Sequence, residues 1–196
     1  MIKKFLHVGC GPQTKQGIKG FSSQEWEEIR FDIDERVKPD IVGTLTDMSA
    51  VATASVDAIY SSHNIEHLYA HEVAIALKEF NRVLKSDGFV VLTCPDLQSV
   101  CEAVANDRLL DTLYESPAGA ITPMDILYGH RGYIQNGNKY MAHNCGFTYK
   151  VLDKFFKDSG FVRTRGMQRP LAFDLWILAM KENNIELARE APKYFP

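Results

Sequence analysis

No pair of cysteines in this chain has CxxC spacing. Cys10, Cys94, Cys101 and Cys145 are scattered. A disulfide framework is therefore not expected, and the four read as free thiols of a reducing compartment. No apolar run approaches the roughly 18 residues that a membrane span requires. His7 and the glycines that follow it interrupt the apolar stretch of a signal peptide. The cytoplasm is the predicted location. An excess of basic residues is also missing. Lys and Arg number 22 against 25 Asp and Glu, a net charge of -3. That gives no electrostatic case for nucleic acid, and a small molecule is the expected partner. Repeats and low-complexity tracts are absent too. What remains is 196 residues, 45% of them hydrophobic, enough to bury one core unaided.

Strand and helix patterns alternate. Phe5-Leu6-His7-Val8 is an apolar strand ending in Gly9-Cys10-Gly11-Pro12. The polar stretch from Gln13 to Glu25 holds Gly17 and Gly20 and makes a poor helix. A strand is predicted over Ile29–Asp34, with Ile29, Phe31 and Ile33 on one face. Short strands at Asp40–Val42 and Val56–Tyr60 follow. A helix is predicted from Glu66 to Lys85, carried by Leu68, Val73, Leu77, Phe80 and Leu84 and stopped at Asp87-Gly88. Phe89–Leu92 is continuously apolar, as a central parallel strand should be. After some fifty weakly periodic residues, Thr148 caps a helix that Gly160 stops. Phe161–Met167 and Leu171–Met180 then form a hairpin. The implied fold is α/β, a mostly parallel sheet with helices on both faces. Residues 1–181 make the domain, and 182–196 a polar tail.

In such sheets the ligand sits outside the carboxyl ends of the strands. Gly9-Cys10-Gly11 is a turn that lets a ligand approach backbone. Asp32, 23 positions after Gly9, can accept both hydroxyls of a ribose, with Asp34 as competitor. The order strand, GxG, strand, acid points to an adenosine-containing cofactor. A dinucleotide is disfavoured, because GxGxxG would place glycine where Thr14 stands.

Phe5–Pro12 resembles the first motif of the class I, Rossmann-like S-adenosylmethionine-dependent methyltransferases. Ser55–Leu68 is similar to that family's fourth-strand motif, and Phe80–Phe89 to its helix-to-fifth-strand segment. Gly146-Phe147-Thr148, Leu152 and Gly160-Phe161 resemble its late helix and sixth strand. The resemblance implies a seven-stranded sheet with the last strand antiparallel, and S-adenosylmethionine as cofactor. By position it places Gly9, Cys10 and Gly11 at the methionine part and Asp32 on the ribose. Ile33, Thr44 and Leu45 fall at the adenine, and Ser61, Ser62 and His63 by the sulfonium. The chain departs from the pattern at His7, where an acid is usual, at Gln13, where a third glycine is usual, and at Thr44, where an acid often meets the adenine. A non-catalytic adenosylmethionine binder is therefore an alternative to an enzyme.

His63-Asn64-Ile65-Glu66-His67 satisfies H-x-x-E-H, an inverted zincin pattern. It lies at a strand-to-helix junction, and no downstream acid stands out as a third ligand. Zinc hydrolysis is the lesser alternative, and no metal is expected. His67 reads as a helix residue without chemistry.

Residues 97–146 are predicted to fold over the sheet edge as a substrate lid. Structureless loops longer than about 12–15 residues are uncommon, and Tyr114, Tyr128, Tyr133, Tyr140, Met124 and Met141 supply apolar area. His63, His130 and His143 are candidate bases for removing an acceptor's proton. Asp96, Arg131, Tyr133 and Asn144 are candidate acceptor contacts, although Asp96 is equally placed to cap a helix. No motif encodes the acceptor's identity or the oligomeric state.

Overall fold

A computed structural model of the protein describes residues 2–196. Seven strands form one sheet: β1 (Lys3–Val8), β2 (Trp26–Asp32), β3 (Ile41–Val42), β4 (Val56–Ser62), β5 (Leu84–Pro95), β8 (Arg163–Arg169) and β9 (Asp174–Met180). Their order is β3-β2-β1-β4-β5-β9-β8. A two-stranded ribbon, β6 (Tyr114–Ser116) with β7 (Gly119–Ile121), stands apart. Neighbours from β3 to β5 run parallel, and β9 runs antiparallel to both β5 and β8. This is the expected seven-stranded sheet with its last strand reversed. β1 is buried at four successive residues, Phe5 to Val8, because both its faces are covered.

One face carries α1 (Val73–Val83) and α5 (Tyr149–Asp158). Val73, Leu77 and Phe80 of α1 and Leu152 and Phe156 of α5 pack on Leu6, Ile59, Val90 and Ile177. The other face is built differently. No regular helix forms between β1 and β2, only a turn at Lys15–Gly17. Ile18 and Phe21 from this connection, with Trp26 at the start of β2, pack on Phe5, Ala58 and Val91. The remaining cover comes from the end of the chain: α6 (Ile185–Arg189), then Ala191, Tyr194 and Phe195, all three buried. The polar tail is thus docked into the second core by its few apolar side chains.

Several boundaries differ from the sequence pattern. β2 starts at Trp26 and ends at Asp32, because Trp26 buries its ring in the second core and Asp34 leaves the strand to cap a 3-10 turn. The helix expected from Glu66 begins only at Val73. Before it, Ile65–His67 form a 3-10 turn and Leu68 is extended. It ends at Val83, and Leu84 already pairs with Val56. The Lys85–Gly88 segment is absorbed as an irregularity before Phe89 pairs with Ala58. Among the described residues, no helix is long and apolar enough to cross a membrane.

Candidate functional site

At the carboxyl ends of β1, β2 and β4, Gly9 and Gly11 adopt φ of +61° and +51°, a region costly for residues with a Cβ. Gly9 N donates to Phe31 O (2.8 Å), which ties the loop to β2. Asp32 then organises it. One carboxylate oxygen accepts from Gly11 N (2.8 Å), the other from Asp34 N (2.9 Å). A carboxylate has lone pairs left after two such bonds. Asp34, the competitor, is spent on Arg36 N, Nε and an Nη.

Gly9 is also obligatory on steric grounds. A Cβ there would lie 1.8 Å from Asn64 Oδ1, whereas at Gly11 it would meet nothing within 4 Å. Asn64 crosses under the loop because its Nδ2 donates to Val8 O (2.8 Å) and Ser61 Oγ (3.2 Å). Ser61 is fully buried, so it supports the loop from below, and Ser62 faces the cleft. Cys10 is buried at 1% exposure with its thiol pushed up to about 11, chiefly by burial. Its side chain is core, and any contact it makes with a ligand is through backbone. His7 is held neutral by burial, against the pull of Glu28, whose Oε1 lies 2.7 Å from its Nδ1.

His63, just after β4, has φ +54°, a conformation uncommon outside glycine and found disproportionately at functional sites. Its Nδ1 is 3.2 Å from Glu66 Oε1. Burial opposes its protonation, but the hydrogen bond and charge of Glu66 outweigh this and raise the imidazole above its usual range. The same exchange holds Glu66 below the usual carboxylate range despite burial.

These groups line a cleft of about 610 Å³, a volume typical of small-molecule sites. Its floor is Gly9, Gly11 and Asp32. One wall is Ile33, Thr44 and Leu45, another Ser62, His63 and Asn64. The far side comes from the 97–146 segment, through Tyr133, Tyr140, Met141 and Asn144. That segment is clamped to the 3-10 turn: Asn144 N and Cys145 N donate to Glu66 O, Asn144 Nδ2 to His67 O, and His67 Nδ1 to Ala142 O.

Four predicted residues lie elsewhere. Asp96 is fully buried and caps α2 (Leu97–Ala105), accepting from Gln98 N, Ser99 Oγ and Gln168 Nε2. Arg131 is engaged by Asp125 and Thr122, at the capping box of α3 (Pro123–Tyr128), so its charge is already matched. His130 caps α4 (Arg131–Gln135) by accepting from Tyr133 N. His143 borders a second cavity of about 260 Å³ behind the cleft. Conversely, Asn64, His67, Tyr140 and Met141 line the cleft without having been singled out for it. Asn64 and His67 lie inside the fourth-strand motif. The Tyr140-Met141 pair was visible only as lid composition.

Residues 6–92 match the family profile described as a methyltransferase domain. The match spans 87 of the 196 residues, the segment from β1 into β5. Solved structures agree in fold. A methyltransferase from Archaeoglobus fulgidus, described as SAM-dependent, is 13% identical. It superposes with a TM-score of 0.58 over 91% of this chain and 86% of its own. A SAM-dependent methyltransferase from Thermotoga maritima, described as a possible histamine N-methyltransferase, is 15% identical, with a TM-score of 0.55 over 92% and 83%. The 1,6-didemethyltoxoflavin-N1-methyltransferase of Burkholderia thailandensis is 14% identical, with a TM-score of 0.57 over 92% and 72%. Its structure holds 1,6-didemethyltoxoflavin and S-adenosylhomocysteine. No curated protein matches this chain in sequence.

Proposed function

We propose that the protein is an S-adenosylmethionine-dependent methyltransferase acting on a small polar acceptor. The observation that carries this reading is the loop–acid unit: Gly9 and Gly11 with left-handed backbone, pinned by an Asp32 carboxylate that keeps spare lone pairs at the cleft. The fit to the cofactor is good. Open space above Gly11 leaves room for it, Asp32 would accept from the ribose hydroxyls, and Ile33, Leu45 and Val37 give an apolar slot for the adenine. Thr44 stands beside that slot. When bound, the cofactor supplies an activated methyl group on sulfur.

The protein's own part is alignment, an effect that can supply about 7–11 kcal/mol. We place the acceptor between the strand edge and the lid residues Tyr133, Tyr140 and Asn144. His63 stands at that end, oriented through Nδ1 by Glu66, in position to take a proton from an oxygen or nitrogen acceptor. A donor and acceptor held in line need nothing further from His143 or His130, which do not border the cleft.

Calorimetry with S-adenosylhomocysteine tests the reading. Asp32→Ala is expected to weaken binding by about 1.5–3 kcal/mol, the range for hydrogen bonds to a charged group. Asp34→Ala and His63→Asn should stay within a few-fold. No binding by the folded wild type, or a larger loss from Asp34→Ala than from Asp32→Ala, overturns the assignment.

A further inference from the structure

Between the cleft and the second cavity stand two histidines and a carboxylate. Glu66 and His67 come from the turn after β4, and His143 from the end of the lid, 76 residues further along the chain. One donor atom from each lies within 4.8 Å of the others. The two imidazole centroids are 4.9 Å apart.

Hydrogen bonding fixes what each group offers. His67 Nδ1 faces Ala142 O at 3.0 Å, and His143 Nδ1 faces Ile126 O at 2.7 Å. A carbonyl oxygen only accepts, so in both rings Nδ1 carries the proton. Each neutral ring then keeps its lone pair on Nε2. Backbone carbonyls holding Nδ1–H are the usual partners behind metal-bound histidine. Glu66 is 1% exposed. Its Oε1 faces His63, while its Oε2 is buried with no hydrogen-bond partner. A buried, unpartnered carboxylate oxygen is costly. Two imidazoles with a free lone pair each, and a carboxylate with an unpartnered oxygen, thus belong to one cluster of potential donors.

We propose that Glu66, His67 and His143 bind one divalent transition-metal ion of the zinc class. Two nitrogens and one carboxylate oxygen are a ligand set of zinc and neighbouring late metals, with at least one position left open. This set differs from the H-x-x-E-H pattern, which would pair His63 with His67. His63 is not helical and serves as the outer partner of Glu66, and the third ligand comes from the lid. The backbone is already braced for this, since Asn144 N and Cys145 N hold Glu66 O and His143 N holds Tyr128 O. His67 and Asn144 border the cleft, while Glu66 and His143 border the second cavity. A bound ion therefore clips the lid to the sheet edge, in the wall between the two spaces. The inference shares Glu66 with the methyl-transfer reading, but the metal titration that tests it is read without activity.

The test uses tag-free protein, stripped with chelator and titrated with cobalt(II) chloride and then zinc chloride. One ion per chain is expected, with a dissociation constant near or below about 1 µM. The visible cobalt bands should lack thiolate charge transfer, because Cys145 is not a ligand. His67→Ala and His143→Ala should each weaken binding at least 100-fold and abolish the thermal stabilisation by zinc. His63→Asn should weaken it by about 10–100-fold, as outer partners do, and Cys145→Ser should change nothing. Circular dichroism checks that the variants fold. If they do not, wild-type protein decides alone, since no cobalt bands at millimolar metal overturns the proposal. Retained affinity in both histidine variants, or its loss in Cys145→Ser, also overturns it.

Discussion

Gly9→Ala is a perturbation whose cost can be divided into parts. The backbone there is left-handed, which costs a residue with a Cβ about 1–2 kcal/mol. The new methyl would also lie 1.8 Å from Asn64 Oδ1, less than half an ordinary contact. Asn64 must therefore leave, giving up its hydrogen bonds to Val8 O and Ser61 Oγ. At roughly 1 kcal/mol each, these are worth about 2 kcal/mol. Gly9→Ala should cost about 3–4 kcal/mol, or about 6–16 °C of melting temperature for a domain of this size. Asn64→Ala alone forfeits only the hydrogen bonds, about 2 kcal/mol. The double variant is the sharp case. Once Asn64 is truncated there is nothing left to displace, so Gly9→Ala/Asn64→Ala should be no less stable than Gly9→Ala. The cycle then shows a coupling of about 2 kcal/mol, well outside the ~0.5 kcal/mol scatter of independent sites. Urea melts of the four proteins measure it. Strict additivity would falsify the claim that Asn64 occupies the space glycine leaves open.

Other outcomes follow from the same geometry. Tyr194→Ala removes a ring 5.1 Å from Phe89 and 5.3 Å from Phe21. It should cost about 3–5 kcal/mol, while Tyr194→Phe stays within about 1 kcal/mol; a thermal shift below about 3 °C for the alanine variant would show that the tail is not core. Asp125 is opposed by burial but held well below the usual carboxylate range by Arg131 and Thr122. Its contribution is therefore complete above the free carboxyl value of about 3.9 and is lost as pH falls below it. Limited proteolysis between pH 5 and 2.5 should show the 122–131 region opening in the wild type, and Asp125→Asn should already be open at pH 5. An identical pH profile for both proteins would refute the link.

Much of the cleft wall at the ends of β1, β2 and β4 was readable in the sequence because its contacts follow local rules. Gly9, Gly11 and Asp32 are placed by two consecutive strands and the turn between them, and the acid lands where β2 ends. Ile33, Thr44, Leu45 and Ser62 follow from the ends of neighbouring strands. The side formed by residues 97–146 was not readable in the same way. His67 reads as a helix residue, yet its ring answers to Ala142, 75 residues away, and Glu66 O holds Asn144 and Cys145. Those long-range bonds also explain why helical periodicity failed at Glu66. A buried carboxylate committed to His63, with its carbonyl taken by the lid, leaves the chain no freedom to start a helix before Val73. Arg131 and Asp96 failed as site residues for a complementary reason. Each found a nearer partner, a neighbouring carboxylate or a helix start, that composition alone does not reveal.

The order of strands has a consequence for how the chain reaches its native state. β9, last along the chain, lies between β5 and β8. β8 has no strand to pair with until β9 arrives, and the second core is incomplete until Tyr194 joins Phe5 and Phe21 across some 170–190 residues of sequence. The parallel block β1–β5 can assemble earlier, but with Val91 and Phe89 uncovered and the outer edge of β5 unpaired. Such an intermediate is sticky, since exposed apolar surface and open strand edges are what drive aggregation. Contacts this distant in sequence also slow folding. Refolding from denaturant is therefore expected to be slow and concentration-sensitive, with late protection of Trp26 and of the amides shared by β5 and β9.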